Sequence, residues 1–241
     1  IGGTIRGESV TMGSAYFMKK HHVSLPRDLK LKTGVFLAVD GQLSGYLGEH
    51  LLTSGAELRK TELEHSRNIA NGSVDATQSA VYLQDEFGFG DLALTLSGRL
   101  DHHETYGTEF SPRAYALYTL TDEWVIKGGA GKAFKAPTLA QSSEGFSTTA
   151  CRGACQVIGN PDLKPEKSLS EEIGLLWDNG NDLNAGVTLF NTDFKNKISE
   201  VRRCTDKQQP ACTLNGHSYD FISDRVNVDK ANMRGVEGMM D

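Results

Sequence analysis

The sequence lacks any long hydrophobic run. No stretch of its 241 residues approaches the 18 or more consecutive apolar residues that a membrane-spanning helix requires. Hydrophobic residues make up only 38% of the chain, which is on the low side for a soluble globular protein. By hydropathy alone the chain would be classed as soluble. Strands of a membrane β-barrel escape this test, because only every second residue faces lipid.

Three further features are missing: a signal peptide, a clustered basic face and a catalytic motif. The chain begins at Ile1 rather than Met and shows no signal peptide, so we expect a processed or excised piece of a longer protein. Its formal net charge of −6 argues against a nucleic-acid surface, which needs a clustered basic face. No Ser-His-Asp or paired-carboxylate arrangement has a recognisable sequence context. We therefore expect no enzyme, no catalytic residue and no nucleic-acid partner.

Cysteines are few, and the four present fall in two close pairs, Cys151/Cys155 and Cys204/Cys212. Both pairs lie in predicted loops, and small loop rings of this kind indicate disulfides in an oxidising compartment. Zinc is the alternative, because the two pairs together supply four thiolates. Neither the C-x3-C nor the C-x7-C spacing is the usual C-x2-C of zinc sites, which favours disulfides and no metal.

Strand alternation is what the sequence does contain, and Ser111–Leu139 shows it best. This segment predicts two strands joined by a tight turn at Thr121–Asp122. In the second strand, one face is mostly apolar and the other is small and basic. The apolar face ends in Trp124 and Phe134, about 25 Å apart along a tilted barrel axis, roughly the height of a lipid-facing band. Lys132 on this face must then lie near the upper interface.

A second hairpin, turning at Gly90–Asp91, indicates which face would line a barrel. Its returning strand alternates leucines from Leu92 to Leu100 with a polar set that includes Arg99 and Asp101. A charged side chain on the lipid side near mid-membrane costs about 2–4 kcal/mol. The face that carries Arg99 and Asp101 should therefore look into the lumen.

Connection lengths alternate along the chain. Short turns are predicted near residues 44–49, 90–91, 121–122 and 178–181, and longer connections at 66–76, 105–110, 137–167 and 201–222. Short turns on one side and long loops on the other are typical of outer-membrane barrels, whose long loops face outward. Aromatic residues beside the short turns would form the periplasmic girdle; they are Trp124, Trp177, Phe87 and Phe89.

These patterns predict an all-β fold, an antiparallel up-and-down transmembrane β-barrel present only in part, as about nine or ten strands. We expect a single partial barrel domain over residues 1–241. Residues 1–29 would form a poorly defined strand or loop, and residues 30–241 the barrel strands with long loops at 137–167 and 201–222.

Two motifs look like functional sites but fit a barrel wall better. The run G-G-A-G-K at residues 128–132 lacks the glycine spacing and the Ser or Thr of a phosphate loop, so we interpret it as small residues in a crowded wall. The run at residues 101–104 contains His102 and His103. Consecutive strand residues face opposite ways, so these two histidines cannot readily converge on one metal ion.

Six stretches, taken in order, resemble the TonB-dependent outer-membrane receptors. They are Y-L-Q-D-E-F (82–87), L-A-L-T-L-S-G-R-L-D-H-H-E (92–104), S-P-R-A-Y-A-L-Y (111–118), K-G-G-A-G-K-A-F-K-A-P-T-L (127–139), N-P-D-L-K-P-E (160–166) and N-V-D-K-A-N-M-R-G-V-E-G (227–238). Within the family, C-R-G-A-C followed by G-N-P-D-L-K-P-E is most similar to the colicin I receptor and its relatives, which import ferric catecholate siderophores.

The resemblance implies a barrel of about 22 strands whose lumen is closed by an N-terminal plug. Neither the plug nor the motif that engages TonB is found in this sequence, so we expect an interior slice of the barrel that does not transport alone. The implied transported ligand is a ferric siderophore, with no covalently bound cofactor. The implied partners are TonB through the missing plug, outer-membrane lipid or lipopolysaccharide, and colicin-type toxins.

Ferric catecholates are anionic, so cationic side chains on the cysteine-bearing loops would suit their capture. The candidates are Arg152, Arg202, Arg203 and Lys207. Alternatively, these charges are merely solvated or meet lipopolysaccharide phosphates. Two other functions stay open: a surface receptor or adhesin-type barrel that binds a protein such as a colicin, and a soluble all-β domain. The soluble domain would need its leucine stripes to pack on a second sheet.

Overall fold

The structure is a computed structural model of the chain. It describes residues 2–5, 8–11, 31–65, 69, 72–181 and 183–241, and it describes side chains from Leu37 onward, His65 excepted. The predicted N-terminal strand or loop at 1–29 lies partly outside the described residues, as does the predicted loop at 66–76. The end of that predicted loop is wrong, because residues 73–76 pair with the preceding strand. Within this part of the chain, no helix is long and apolar enough to cross a membrane.

Strands make up most of the described chain. They are β1 (Gly2–Ile5), β2 (Glu8–Thr11), β3 (Leu31–Leu47), β4 (His50–His65), β5 (Ser73–Phe89), β6 (Leu92–His103), β7 (Gly107–Thr119), β8 (Trp124–Lys135), β9 (Ser147–Ala150), β10 (Cys155–Ile158), β11 (Glu166–Asp178), β12 (Asn184–Cys204), β13 (Thr213–Leu214), β14 (His217–Ser218) and β15 (Phe221–Met240). One short helix, α1 (Leu139–Ser142), and two 3-10 turns, Cys151–Gly153 and Pro210–Cys212, lie in the long connections.

The long strands form one continuous sheet in the order β3-β4-β5-β6-β7-β8-β11-β12-β15, and every neighbouring pair is antiparallel. The short strands β1 and β2 extend this sheet at one edge. At the other edge, β10 pairs in parallel with the start of β15, and β9 pairs with β10. The predicted all-β, up-and-down arrangement of about nine or ten strands is confirmed.

Short turns join the strands at one end of the sheet, as predicted. The turn between β3 and β4 is confined to Gly48 and Glu49, so β3 is longer than its alternation indicated. The turn between β5 and β6 uses Gly90, whose φ of 59° is in the left-handed region that favours glycine. At the opposite end, the predicted loop at 105–110 is wrong, because residues 107–110 pair with β6 and only residues 104–106 connect the strands.

Two strands extend into the predicted loop at 201–222. β12 continues to Cys204, and β15 begins at Phe221. The two strands extend because Val201 pairs with Asp224 and Arg202 pairs with Ser223. These pairs lie above Glu166, the first residue of β11, so β11 does not reach them. Backbone pairing with a distant strand leaves no local sequence signal. The connection between these strands therefore shortens to residues 205–220.

The apolar face of the sheet is uncovered. Ile173, Leu189 and Val236 lie directly opposite one another on β11, β12 and β15, and they are 58%, 52% and 66% exposed. On β6, Leu96 and Leu100 are also exposed. No second sheet packs on these stripes within the described residues, although the soluble two-sheet alternative would require one. The apolar face has the character of a lipid-facing wall.

The opposite face carries the charged side chains of the same strands. Arg99 donates to Glu57 at 2.8 Å and to Asp101 at 3.0 Å, and Asp101 also accepts a hydrogen bond from Gln78 at 3.1 Å. Arg59 pairs with Glu57 at 2.9 Å. Because these residues alternate with the exposed leucines, the polar and apolar faces separate as the sequence predicted.

Aromatic residues mark the short-turn end of the apolar face. Trp124 and Trp177 lie opposite each other with ring centroids 6.3 Å apart, and the Trp177 indole N–H donates to Glu123 at 3.1 Å. Phe89, beside the Gly90 turn, is 80% exposed. A ring that combines an apolar body with a polar tip suits a membrane–water interface, which agrees with the predicted girdle.

The glycines at 128–132 make room for neighbouring side chains, as the wall interpretation predicted. A Cβ built on Gly129 would collide with the ring of Tyr115 and lie 2.7 Å from the carbonyl oxygen of Ala114. On Gly131, a Cβ would lie 3.3 Å from Cγ of Arg113. An aromatic ring covering a cross-strand glycine pins the register of the two strands. The phosphate-loop alternative has no support, because this run lies inside β8.

Replacement of Gly129 by Ala should therefore destabilise the barrel by about 1–3 kcal/mol, because the Tyr115 ring must shift. Gly41→Ala is the matched control, since a Cβ at Gly41 meets nothing within 4 Å. Urea unfolding of the full-length receptor in lipid vesicles measures both free energies. Equal stability of the two variants would contradict the packing role assigned to Gly129.

Candidate functional site

The long-loop end of the sheet carries two disulfide-bonded loops. Cys151 is bonded to Cys155 with a Cα–Cα distance of 5.4 Å, at the hairpin between β9 and β10. Cys204 is bonded to Cys212 with a Cα–Cα distance of 5.6 Å, which ties the end of β12 to the 3-10 turn that follows. The zinc alternative is thereby disfavoured, because all four sulfurs are engaged. Among the described residues, no cluster of three or more His, Cys, Asp or Glu side chains could hold a metal ion.

The two loops pack together as one unit, which we call the stapled cap (residues 137–165 and 204–222). Its small core is formed by Cys204, Cys212 and Ile222, each less than 5% exposed, and Ile158 of the first loop packs against it. The backbone N–H of Asp220 donates to the carbonyl of Ala154 at 2.8 Å. Together with the parallel pairing of β10 and β15, these contacts fix the position of one loop relative to the other.

Asn227 fastens the cap to the strands. Its side-chain amide donates to the carbonyls of Lys164 and Asn196 at 2.9 and 2.7 Å, and its side-chain oxygen accepts from the N–H of Lys164 at 2.7 Å. Nearby, the Asn160 side chain donates to the Arg225 carbonyl at 2.8 Å. These bonds satisfy the backbone groups of Lys164, which lies outside the strands, and add side-chain partners to the carbonyls of Asn196 in β12 and Arg225 in β15. The N-P-D-L-K-P stretch thus docks the first loop onto β15.

The first loop also crosses the polar face of the sheet. Its helix α1 follows β8 in sequence yet contacts β4 and β5, several strands away. Arg225 of β15 donates to the carbonyl of Ala140 in α1 at 2.7 Å, and burial lowers the pKa of Arg225. A cavity of about 320 Å³ remains between α1 and the ends of β5 and β6, bordered by Val74, His103 and Leu139. The cap therefore lies over the mouth of the polar face.

The structure separates Arg202 from Arg203. β12 has a bulge between Arg202 and Cys204, so alternation along β12 does not fix the direction of Arg203. The partners of the two arginines do, because Phe221 and Asp224 face opposite sides of β15. Arg202 lies over the ring of Phe221, with its guanidinium carbon 4.5 Å from the ring centroid. By alternation along β12, this is the side of the polar face. Arg203 instead pairs with Asp224, with Nε 2.8 Å from the carboxylate, and this hydrogen bond raises the pKa of Arg203.

The other two sequence candidates lie on exposed turns of the cap. Arg152 is in the 3-10 turn between the first two cysteines and has a φ of 55°. Lys207 lies in the turn between Cys204 and Cys212, and both side chains are exposed. Neither forms an ion pair within the described residues. The structure therefore offers Arg152, Arg202 and Lys207 as uncompensated cations, whereas Arg203 is neutralised by its partner.

Sequence reasoning missed three residues that shape this region: Phe221, Arg225 and Asn227. Phe221 forms the platform under Arg202, and the other two hold the loops. Asn227 lies in one of the six quoted stretches, so the sequence marked this region as family-like but did not indicate what Asn227 does. No local pattern marks Phe221 or Arg225, because their partners are distant in sequence.

The chain is similar in sequence to a known protein family and to several outer-membrane receptors. Residues 11–240 match the protein family described as "TonB dependent receptor-like, beta-barrel". The chain is 33% identical over 240 residues to the iron-regulated outer membrane virulence protein of Vibrio cholerae, covering 97% of the chain and 35% of that protein. It is 32% identical over 170 residues to the ferrienterobactin receptor of Escherichia coli K12, covering 67% of the chain and 22% of that receptor. The chain thus spans about a third or less of these relatives.

Solved structures agree on the fold. The crystal structure of the siderophore receptor PirA from Pseudomonas aeruginosa superposes with a TM-score of 0.73 at 29% sequence identity. The superposition covers 87% of this chain and 39% of that one. The predicted partial β-barrel is confirmed by this match.

Replacement of Asn227 by Ala should loosen the cap without unfolding the sheet, because it leaves backbone groups of Lys164 and Asn196 without their partner, at a cost of about 1–3 kcal/mol. Hydrogen exchange of the full-length receptor would show faster exchange across residues 137–165. Asn232→Ala is the matched control, since the Asn232 amide bonds to the side chains of Asn191 and Asp193 and, among the described residues, to no backbone group. The role of Asn227 would be refuted by identical exchange in both variants.

Proposed function

The chain belongs to the TonB-dependent receptor-like β-barrel family, as its six sequence stretches predicted, and we propose that it supplies wall strands and capture loops to a receptor that imports ferric siderophores of the catecholate type. Its strands lie in the outer membrane. The family comprises receptors and transporters, and the proposal assigns no catalytic residue.

The observation that carries the proposal is the placement of Arg202 on the Phe221 ring at the mouth of the polar face. A guanidinium stacked on an aromatic ring is pre-organised, so it loses little freedom when it meets an anion. A ferric catecholate offers both negative charge and aromatic rings. Arg152 and Lys207 would add positive charge from the exposed turns of the same cap.

The names of the similar proteins support the same ligand class. One relative is a ferrienterobactin receptor, and the superposed structure is a siderophore receptor. We infer that the receptor containing this chain takes the ferric complex from outside, holds it under the stapled cap and passes it along the polar face. Import against a gradient needs energy, which we propose comes from TonB. A colicin-type toxin as a second ligand of the same loops stays a prediction.

Substitution of Arg202 by Gln should weaken binding of a ferric catecholate by about tenfold, because a charge-assisted contact to an anion is worth about 1.5–3 kcal/mol and the amide retains part of it. Arg203→Gln is the matched control: it removes the same charge one residue away, on the opposite side of the strand and already paired with Asp224. Its expected effect on affinity is small, since exposed ion pairs contribute little.

Fluorescence quenching of the purified full-length receptor, titrated with ferric enterobactin, measures both affinities. Hydrogen exchange of the cap verifies that each variant keeps the loops folded. If both substitutions weaken binding equally, or neither does, then Arg202 is not a capture residue.

A further inference from the structure

A row of polar side chains interrupts the apolar face of the sheet. Glu171 of β11 is in register with Asn191 of β12, and Asn191 is in register with Arg234 of β15. We call these three residues the outward polar row. By alternation, they share the outward face with the exposed apolar row that stands two residues away on each strand, Ile173, Leu189 and Val236.

Glu171 lies well inside the band of the wall that faces the membrane. On the same face of β11, Trp177 of the short-turn girdle is six residues away, which is about 15 Å along the axis of a tilted barrel. Towards the long-loop end, Leu169 comes next on this face. Lys167, in register with Phe134, follows about 10 Å from Glu171 along the axis. A glutamate side chain is too short to bring its carboxylate to either level.

The two charges of the outward polar row do not neutralise each other. Glu171 and Arg234 are on strands that β12 separates, and Asn191 stands between them. Both charged side chains are exposed, and in the part of the chain that the structure describes no ion pair reaches either of them. A charge on the hydrocarbon side of a barrel destabilises it to a degree that rises with depth. The row is therefore unfavourable unless another polar surface covers it.

The order of the row, acid then amide then base, is complementary to a second copy of itself. Rotation by 180° about an axis normal to the membrane reverses this order, so Glu171 of one copy faces Arg234 of the other, and the same contact forms twice. At the centre, Asn191 faces its own equivalent, and an amide side chain can both donate and accept. A partner whose surface carries one sign of charge would neutralise only one end of the row. The charges therefore favour a second copy as the partner.

We propose that the outward face of β11, β12 and β15 is the contact surface of a two-fold symmetric dimer of the receptor in the plane of the outer membrane. Glu171 of each copy pairs with Arg234 of the partner subunit, and the exposed apolar row packs beside these contacts. A charge-assisted hydrogen bond is stronger in hydrocarbon than in water, because the dielectric constant is low. The contact is on the outside of the wall, so it leaves the polar face and the stapled cap open to ligand.

Charge reversal tests this pairing in both directions. Full-length receptors with two different affinity tags are co-expressed and extracted in a mild detergent, and the fraction of one tag that is recovered with the other measures dimerisation. Glu171→Arg should lower this fraction about tenfold, because two arginines then face each other at both contacts, and Arg234→Glu should lower it equally. When one tag carries Glu171→Arg and the other carries Arg234→Glu, every arginine again meets a glutamate. Recovery should then return to the wild-type fraction.

Glu237→Arg is the matched control. Glu237 is also on β15 but lies on the polar face, in register with Thr188, so its reversal should leave recovery unchanged. Binding of ferric enterobactin, measured in parallel, verifies that each variant is folded and tests the transport proposal separately.

Three results would overturn the dimer. In the first, wild-type receptors with different tags do not purify together. In the second, the mixed Glu171→Arg and Arg234→Glu receptors associate no better than either variant does with itself. In the third, the capture recovers a different outer-membrane protein in place of the second copy, with the same dependence on Glu171 and Arg234.

Discussion

Backbone hydrogen bonding in a medium without water is the constraint on which the rest of this structure depends. Within lipid, every peptide N–H and C=O must find a partner inside the protein, because an unpaired group costs several kcal/mol. A single-layer sheet in which each long strand pairs with its neighbours meets this requirement along the sheet. Once the sheet exists, alternation alone assigns one face to lipid and the other to charge, as Leu96 and Arg99 illustrate on one strand.

Where the strands leave the membrane, water can hydrogen-bond to the backbone, and the loops are held in place by side-chain hydrogen bonds, disulfides and a small core. The side chains of Asn160, Asn227 and Arg225 bond the first loop to the strands, while two disulfides and a small core around Ile222 hold the loops together. A rigid cap positions Arg202 over Phe221 at the mouth of the polar face.

Most of the fold could be predicted from local sequence patterns, because strand alternation and tight turns depend on neighbouring residues. The Gly90 turn, the Trp124 stripe and the two cysteine pairs were all readable from the sequence. The extension of β12 to Cys204 was not, since it depends on pairing with Ser223 and Ile222 of a distant strand. For that reason Arg202 and Arg203 looked like one cationic pair, and only their partners on β15, Phe221 and Asp224, show that they point in opposite directions.

The most direct test of the account is a spin-label scan along β6 in the full-length receptor, reconstituted in lipid bilayers. Labels at positions 94, 96, 98 and 100 should be readily relaxed by oxygen dissolved in the hydrocarbon. Labels at 95, 97 and 99 should be shielded from it, because they face the charged interior with Arg99. A period of two in oxygen accessibility is the predicted result. Uniform accessibility along the strand would contradict the division into a lipid face and a polar face.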